Sequence, residues 1–263
     1  NGVKRIIYSI YTSTVDPHKS STDYKKMQFE KYKYKLEKSQ RDYASLCNAD
    51  YDLEITTETN YDIIQFNKIK KLEHFAQYYD EVLYLDFDVV PVTKINIFEH
   101  FDFNTICAFA IDRTPPKKHF QWALENDAFD DMNMYCKTCA KNAMLLLDDI
   151  MGNPLVINTG VIGGNKNAIN LLGFTNRFKM MVNKLYEAKD DNLYPNEINK
   201  VWKPNNEIFV SYLIEKFNIP FTNIQLQWNF LIDKISPVPS PGAHMWHHVN
   251  KEFELSFNVH MEK

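Results

Sequence analysis

Glycine is scarce in this chain, seven among 263 residues. A nucleotidyltransferase of the kind that cradles phosphates in a Gly-rich loop is therefore disfavoured. Cysteine is scarcer still. Cys47, Cys107, Cys136 and Cys139 are too few and too irregular for a disulfide scaffold. Cys136 and Cys139 have knuckle spacing, but structural zinc takes four ligands and no second pair exists, so two cysteines in a loop or helix start are expected. This usage fits a reducing, cytoplasmic setting. Long apolar runs are missing: the longest, Ile106 to Ile111, is six residues, against roughly 20 for a membrane-spanning helix. A soluble chain without a transmembrane segment is expected. The opening Asn1-Gly2-Val3-Lys4 has no charged-then-apolar leader, although the missing initiator methionine leaves room for a trimmed targeting segment. A basic excess is also absent. Thirty Lys+Arg against 34 Asp+Glu give a net charge of −4, which argues against nucleic acid as a partner.

What is present is globular. Hydrophobic residues at 44% and charged residues at 24% exclude wholesale disorder. The length is enough for a substantial core. Neither a repeat nor a long linker breaks the chain, so a single domain over 1–263 is expected.

The first hundred residues alternate strand and helix. Lys4 to Ile10 and Tyr51 to Thr57 read as strands. Between them a charged helix runs to Cys47 from N-cap residues Ser21, Thr22 and Asp23. Asn60 to Tyr79 has helical period, and Glu81 to Leu85 is a third apolar strand. This order implies right-handed crossovers and a mainly parallel central sheet flanked by helices, an α/β fold. Further on, strands are expected at Thr105 to Ile111, Leu155 to Ile162, Phe221 to Gln225 and Ala243 to His248. Helices are expected at Ala140 to Ile150, Lys166 to Lys189 and Asn205 to Phe217.

The segment Val82-Leu83-Tyr84-Leu85-Asp86-Phe87-Asp88 carries the chemistry. An apolar strand delivers two carboxylates to its carboxyl end, where open α/β sheets bind ligands. Adjacent carboxylates beside an apolar sheet call for a cation, and oxygen ligands suit Mg²⁺ or Mn²⁺. Late in the chain His244, His247 and His248 offer a further ligand. Strand alternation sets His247 on the face opposite the other two, and only one of those faces can meet the aspartates. An imidazole favours Mn²⁺ over Mg²⁺.

Asp86-Phe87-Asp88 and its flanks resemble the Asp-any-Asp block of retaining glycosyltransferases related to glycogenin and bacterial galactosyltransferases (family 8). The resemblance spreads over most of the chain. It implies the GT-A nucleotide-sugar transferase fold, with 1–90 as the nucleotide-binding half and 91–263 as the sugar and acceptor half. It further implies that Tyr8, Tyr11 and Thr12 lie on the strand leading to the nucleotide, together with Phe87. Lys68 and Lys251 would meet the diphosphate. Asn158, in a strand similar to the family's Asn-Ser/Ala-Gly-Val, and the pair Asn206-Glu207 would serve the donor sugar. Gln227-Trp228-Asn229 resembles a late Trp/Tyr-Asn element, and Met245-Trp246-His247-His248 resembles the family's closing strand, whose His, taken here as His247, completes the metal site. The implied reaction moves a sugar, with retention, from a nucleoside diphosphate, a UDP-sugar by resemblance, to a hydroxyl of a glycan, protein or small molecule. The chain departs from the pattern where Gly and Pro-Trp are missing after His247, and where Asn206 stands for an Asp. A distant relative is implied.

Two rivals remain at this point. A haloacid dehalogenase-type phosphatase would use Asp86 as nucleophile, but no Gly-Asp dipeptide occurs in the sequence. A non-catalytic nucleotide- or carbohydrate-binding module would tolerate Asn206.

Overall fold

A computed structural model describes residues 2–12 and 22–257. The helix cap expected from Ser21, Thr22 and Asp23 lies outside the described residues and side chains. Along the chain come β1 (Arg5–Thr12), α1 (Thr22–Leu46), β2 (Asp50–Thr56), α2 (Tyr61–Phe75), β3 (Glu81–Leu85), β4 (Val89–Pro91), α3 (Ile97–His100) and β5 (Ile106–Asp112). Then follow α4 (Lys117–Asn126), α5 (Asn133–Leu146), β6 (Leu155–Asn165), α6 (Lys166–Leu172), α7 (Phe174–Asp190), α8 (Asn196–Asn199) and α9 (Asn206–Lys216). The last elements are β7 (Phe221–Asn223), β8 (Phe230–Ile232), β9 (Met245–His248) and α10 (Glu254–Phe257).

A six-stranded sheet has the order β2-β1-β3-β6-β5-β7. Its first two crossovers are the expected ones: β1 pairs in parallel with β2 (Ile6 opposite Asp50) and with β3 (Arg5 opposite Glu81). The next pair departs from parallel. β6 runs antiparallel to β3, with Val161 opposite Leu85. Four consecutive residues of β3, Val82 to Leu85, are buried, as in a strand covered on both faces. The close approach of β6 depends on Gly163, where a Cβ would lie 2.5 Å from the Val82 carbonyl oxygen.

α1 forms because its buried residues Gln28, Tyr32, Leu36, Gln40 and Ala44 recur every fourth position, a stripe facing the core. Asn60 caps α2 by accepting from the Asp62 amide at 3.0 Å. That helix ends at Phe75, earlier than its periodicity suggests, because a turn through Tyr79 returns the chain to β3. The single helix expected over Lys166 to Lys189 is two, broken at Gly173, whose φ of 55° is left-handed. The helix expected from Ala140 begins at Asn133 and takes in Cys136 and Cys139, both buried free thiols.

The chain divides into two compact units. One comprises 1–109, 159–170 and 222–263; the other comprises 110–158 and 171–221. The first holds most of the six-stranded sheet and a second, three-stranded sheet in the order β4-β9-β8. The late segment 222–257 belongs to the same unit as the first hundred residues. In the second unit, α5 packs on α7 and α9. Its Lys141, fully buried, is held by Glu215 at 2.6 Å and the Asn153 carbonyl at 2.9 Å. Among the described residues no helix is long and apolar enough to cross a membrane.

Candidate active site

The site grows from a four-residue turn. β3 ends at Leu85, and the Asp86 amide still donates to the Gly160 carbonyl on β6 at 2.8 Å. The Val89 amide then donates to the Asp86 carbonyl at 2.9 Å, closing a turn over Asp86 to Val89. Beyond it the chain enters the smaller sheet as β4. Phe87 turns inward to a cluster of Tyr11, Tyr32, Leu36, Val90 and Phe253. Burying that ring fixes the turn and sends Asp86 and Asp88 out together.

The smaller sheet supplies the third group. β9 lies between β4 and β8, so His247 stands opposite both Val89 and Leu231. The His248 amide donates to the Asp88 carbonyl at 2.9 Å. His247 Nε2 lies 3.2 Å from Asp88 Oδ1 and 3.5 Å from Asp86 Oδ2. Its Nδ1 is 2.9 Å from Asn229 Oδ1. An amide oxygen only accepts, so the proton sits on Nδ1, and that bond aims Nε2 at the carboxylates. One ligand atom from each of Asp86, Asp88 and His247 lies within 4.8 Å of the others. Two carboxylate oxygens and an oriented imidazole nitrogen fit a divalent ion.

The remaining carboxylate oxygens have cationic partners. Asp86 Oδ1 accepts from the Tyr84 hydroxyl at 2.6 Å and from Lys68 Nζ at 3.2 Å. Asp88 Oδ2 accepts from Lys251 Nζ. Burial alone would raise the Asp88 pKa, but the charges of Lys251 and His247 outweigh it and hold the carboxyl well below the usual range. Burial and the neighbouring Asp86 charge push the Tyr84 hydroxyl well above its ordinary value, so it stays a donor. Lys68 is 7% exposed. The lysine-rich α2 thus presents this one inward rather than to solvent.

The other expected residues are placed as follows. Tyr8 is buried, its hydroxyl donating to the Lys68 carbonyl, which ties β1 to the helix that carries Lys68. Tyr11 donates to Glu30 at 2.8 Å and packs on Phe87. Thr12 donates to the Glu58 carbonyl at 2.9 Å. Lys251 adopts a φ of 63°, a left-handed corner. His244 stacks on Trp228 with centroids 4.5 Å apart, and His248 meets Ser256 on the opposite face from His247. Asn158, Asn206 and Glu207 belong to the second unit. There Asn158 is half-buried on β6, and Asn206 is buried in the first turn of α9, which Asn205 caps. Glu207 pairs with Lys137 at 2.6 Å. Sequence reasoning missed Tyr84 and the Asn229 bond to His247. Tyr84 was within reach, since strand alternation puts residues two apart on one face.

No protein-family model matches the chain, and no curated protein does. Solved structures similar to it include glycosyltransferases. One, involved in the glycosylation of the major capsid of PBCV-1, is 15% identical with a TM-score of 0.45, over 94% of this chain and 93% of that one. Mouse xyloside xylosyltransferase 1 is 11% identical with a TM-score of 0.45, over 94% and 98%. The galactosyltransferase LgtC, solved with donor and acceptor sugar analogues, is 13% identical with a TM-score of 0.46, over 93% and 87%. Likeness at this level leaves the weight of any reading on the residues themselves.

Proposed function

We propose that this chain is a GT-A glycosyltransferase, akin to family 8, that transfers a sugar with retention from a UDP-sugar to a hydroxyl acceptor. The observation that supports it is the convergence of Asp86, Asp88 and His247 at the carboxyl end of β3, flanked by Lys68 and Lys251. A nucleoside diphosphate leaves only if its developing charge is stabilised. A divalent ion, Mn²⁺ by the imidazole in the set, would supply Lewis-acid stabilisation when bound.

The chain's own residues do the rest. Asn229 keeps His247 oriented, and Tyr84 holds one oxygen of Asp86. Lys68 and Lys251, which pair with Asp86 and Asp88, would serve as point charges for the diphosphate oxygens. Asn158 and Asn206 are assigned to sugar hydroxyls by the sequence resemblance, a task suited to amides that donate and accept. Retention needs no enzymic nucleophile if the departing phosphate positions the acceptor hydroxyl on the leaving-group face.

The test is Asp88→Ala. Metal-dependent UDP binding should disappear while the circular dichroism spectrum stays native. Full Mn²⁺-dependent binding in that variant would defeat the assignment. Tight UDP binding without transfer or slow hydrolysis of any UDP-sugar would favour the binding module.

A further inference from the structure

Gln40 is a polar residue on the apolar stripe of α1, and it is fully buried. Its amide nitrogen donates to the Asp86 carbonyl at 2.9 Å and to the Val89 carbonyl at 2.9 Å. These are the first and last carbonyls of the turn that carries both carboxylates. Its amide oxygen accepts from the Tyr51 hydroxyl on β2, at 2.8 Å. Both amide protons are used, and the tyrosine fixes which end of the amide faces the turn. Burial raises the Tyr51 pKa, which keeps the hydroxyl a donor.

This arrangement does more than satisfy a buried amide. The turn's own bond, from the Val89 amide to the Asp86 carbonyl, joins its ends, and Gly160 and His248 hold one backbone group each, at Asp86 and Asp88. Gln40 ties both ends to a 25-residue helix. β9 holds the turn on the His247 side, through Val89 and the Asp88 carbonyl; Gln40 holds it on the side of α1, so its loss would let the Asp86 and Asp88 side chains shift relative to His247. A leucine at position 40 would continue the stripe of Tyr32, Leu36 and Ala44, but it would leave the clamp unmade.

We propose that Gln40, oriented by Tyr51, is a positioning residue that holds the Asp86–Asp88 turn in register with His247 and so sets the affinity for a divalent cation. The inference rests on the metal reading above. Outer partners of metal ligands typically tune affinity by about 10- to 100-fold.

The experiment is Mn²⁺ titration followed by electron paramagnetic resonance, with melting temperatures measured in parallel. Q40L and Q40E, which lack the amide donors, should raise the Mn²⁺ dissociation constant about tenfold or more. Y51F, which frees the amide to turn over but keeps its donors, should raise it by about threefold. The control is Y43F, one turn further along α1, where the hydroxyl bonds Ile95 and Ile97 and not the turn. It should cost stability and leave Mn²⁺ affinity unchanged. If Q40L misfolds, Q40E and Y51F carry the comparison. Wild-type affinity in the Gln40 variants, or equal weakening in Y43F, would overturn the inference and leave the metal site standing. Failure of the wild-type chain to bind Mn²⁺ would remove both.

Discussion

Replacing Lys251 with methionine keeps an apolar stem of similar length and removes the charge beside Asp88. The backbone at 251 stays anchored, its amide donating to the His248 carbonyl at 3.0 Å and its carbonyl accepting from Gln28 at 2.9 Å. The side chains of Asp88 and Lys251 are 7% and 15% exposed, so the pair is largely buried. Removing one member of such a pair costs about 3–5 kcal/mol. Asp88 keeps its 3.2 Å contact with His247 Nε2, which places the expected loss at the lower end, about 3 kcal/mol. For 263 residues that corresponds to a fall in melting temperature of roughly 5–6 °C. A cation between the carboxylates would restore the missing charge. The rise in melting temperature on adding saturating Mn²⁺ should therefore be larger in K251M than in the wild-type chain, measured by calorimetry against an EDTA control. A metal-free melting temperature within about 2 °C of wild type, or an equal response to Mn²⁺, would refute the reasoning.

Burial raises Cys107 and Cys136 to about 11 and Cys139 to about 12, so these thiols should resist an aromatic disulfide reagent at pH 8 until the chain is unfolded; fast native labelling would contradict this. In the second unit, burial would raise the Asp148 pKa, but bonds from Lys184 and Tyr212 and the Lys216 charge bring it below its ordinary value. A carboxylate depressed in the fold stabilises it above the ordinary value of 3.8, and that contribution is lost as pH falls below it. D148N should thus lower the melting temperature at pH 7 and shrink the difference between pH 7 and pH 3; an unchanged difference would refute the linkage. Asn158→Ala should reduce kcat well beyond any effect on UDP affinity, because its assigned partner is the sugar; equal loss of both would reassign it.

The early alternation from β1 to β3 was legible because each element carries its own pattern. β1 and β3 are buried β-branched or aliphatic runs, and α1 and α2 show helical spacing. The turn at Asp86 was legible for the same reason, since it ends a strand whose hydrophobicity stops abruptly. β4 and β8 were not. Each has three residues, too few for a period to register, and each is defined by pairing with β9 rather than by its own sequence. Without them, alternation could separate His247 from His244 and His248 but could not show which face meets the aspartates. The break at Gly173 was hidden because the apolar spacing continues across it. α4 went unread because its residues carry a mixed, mostly exposed pattern. Gln40 was unreadable as a partner of Asp86, since nothing local links positions 46 residues apart.

The contact between Asp88 and Lys251 joins residues 163 positions apart. The carboxylate turn is therefore synthesised long before β9, the strand that completes its sheet. The entropic cost of such a closure grows only slowly with length, but non-local pairing is slow to form. Until the segment carrying β9 and Lys251 is made, Asp86 and Asp88 have no imidazole and one lysine, Lys68, between them. A nascent chain that has not yet made β9 thus lacks the third member of the proposed cation site, and divalent-ion capture, if the proposal holds, would report that the late strand has docked.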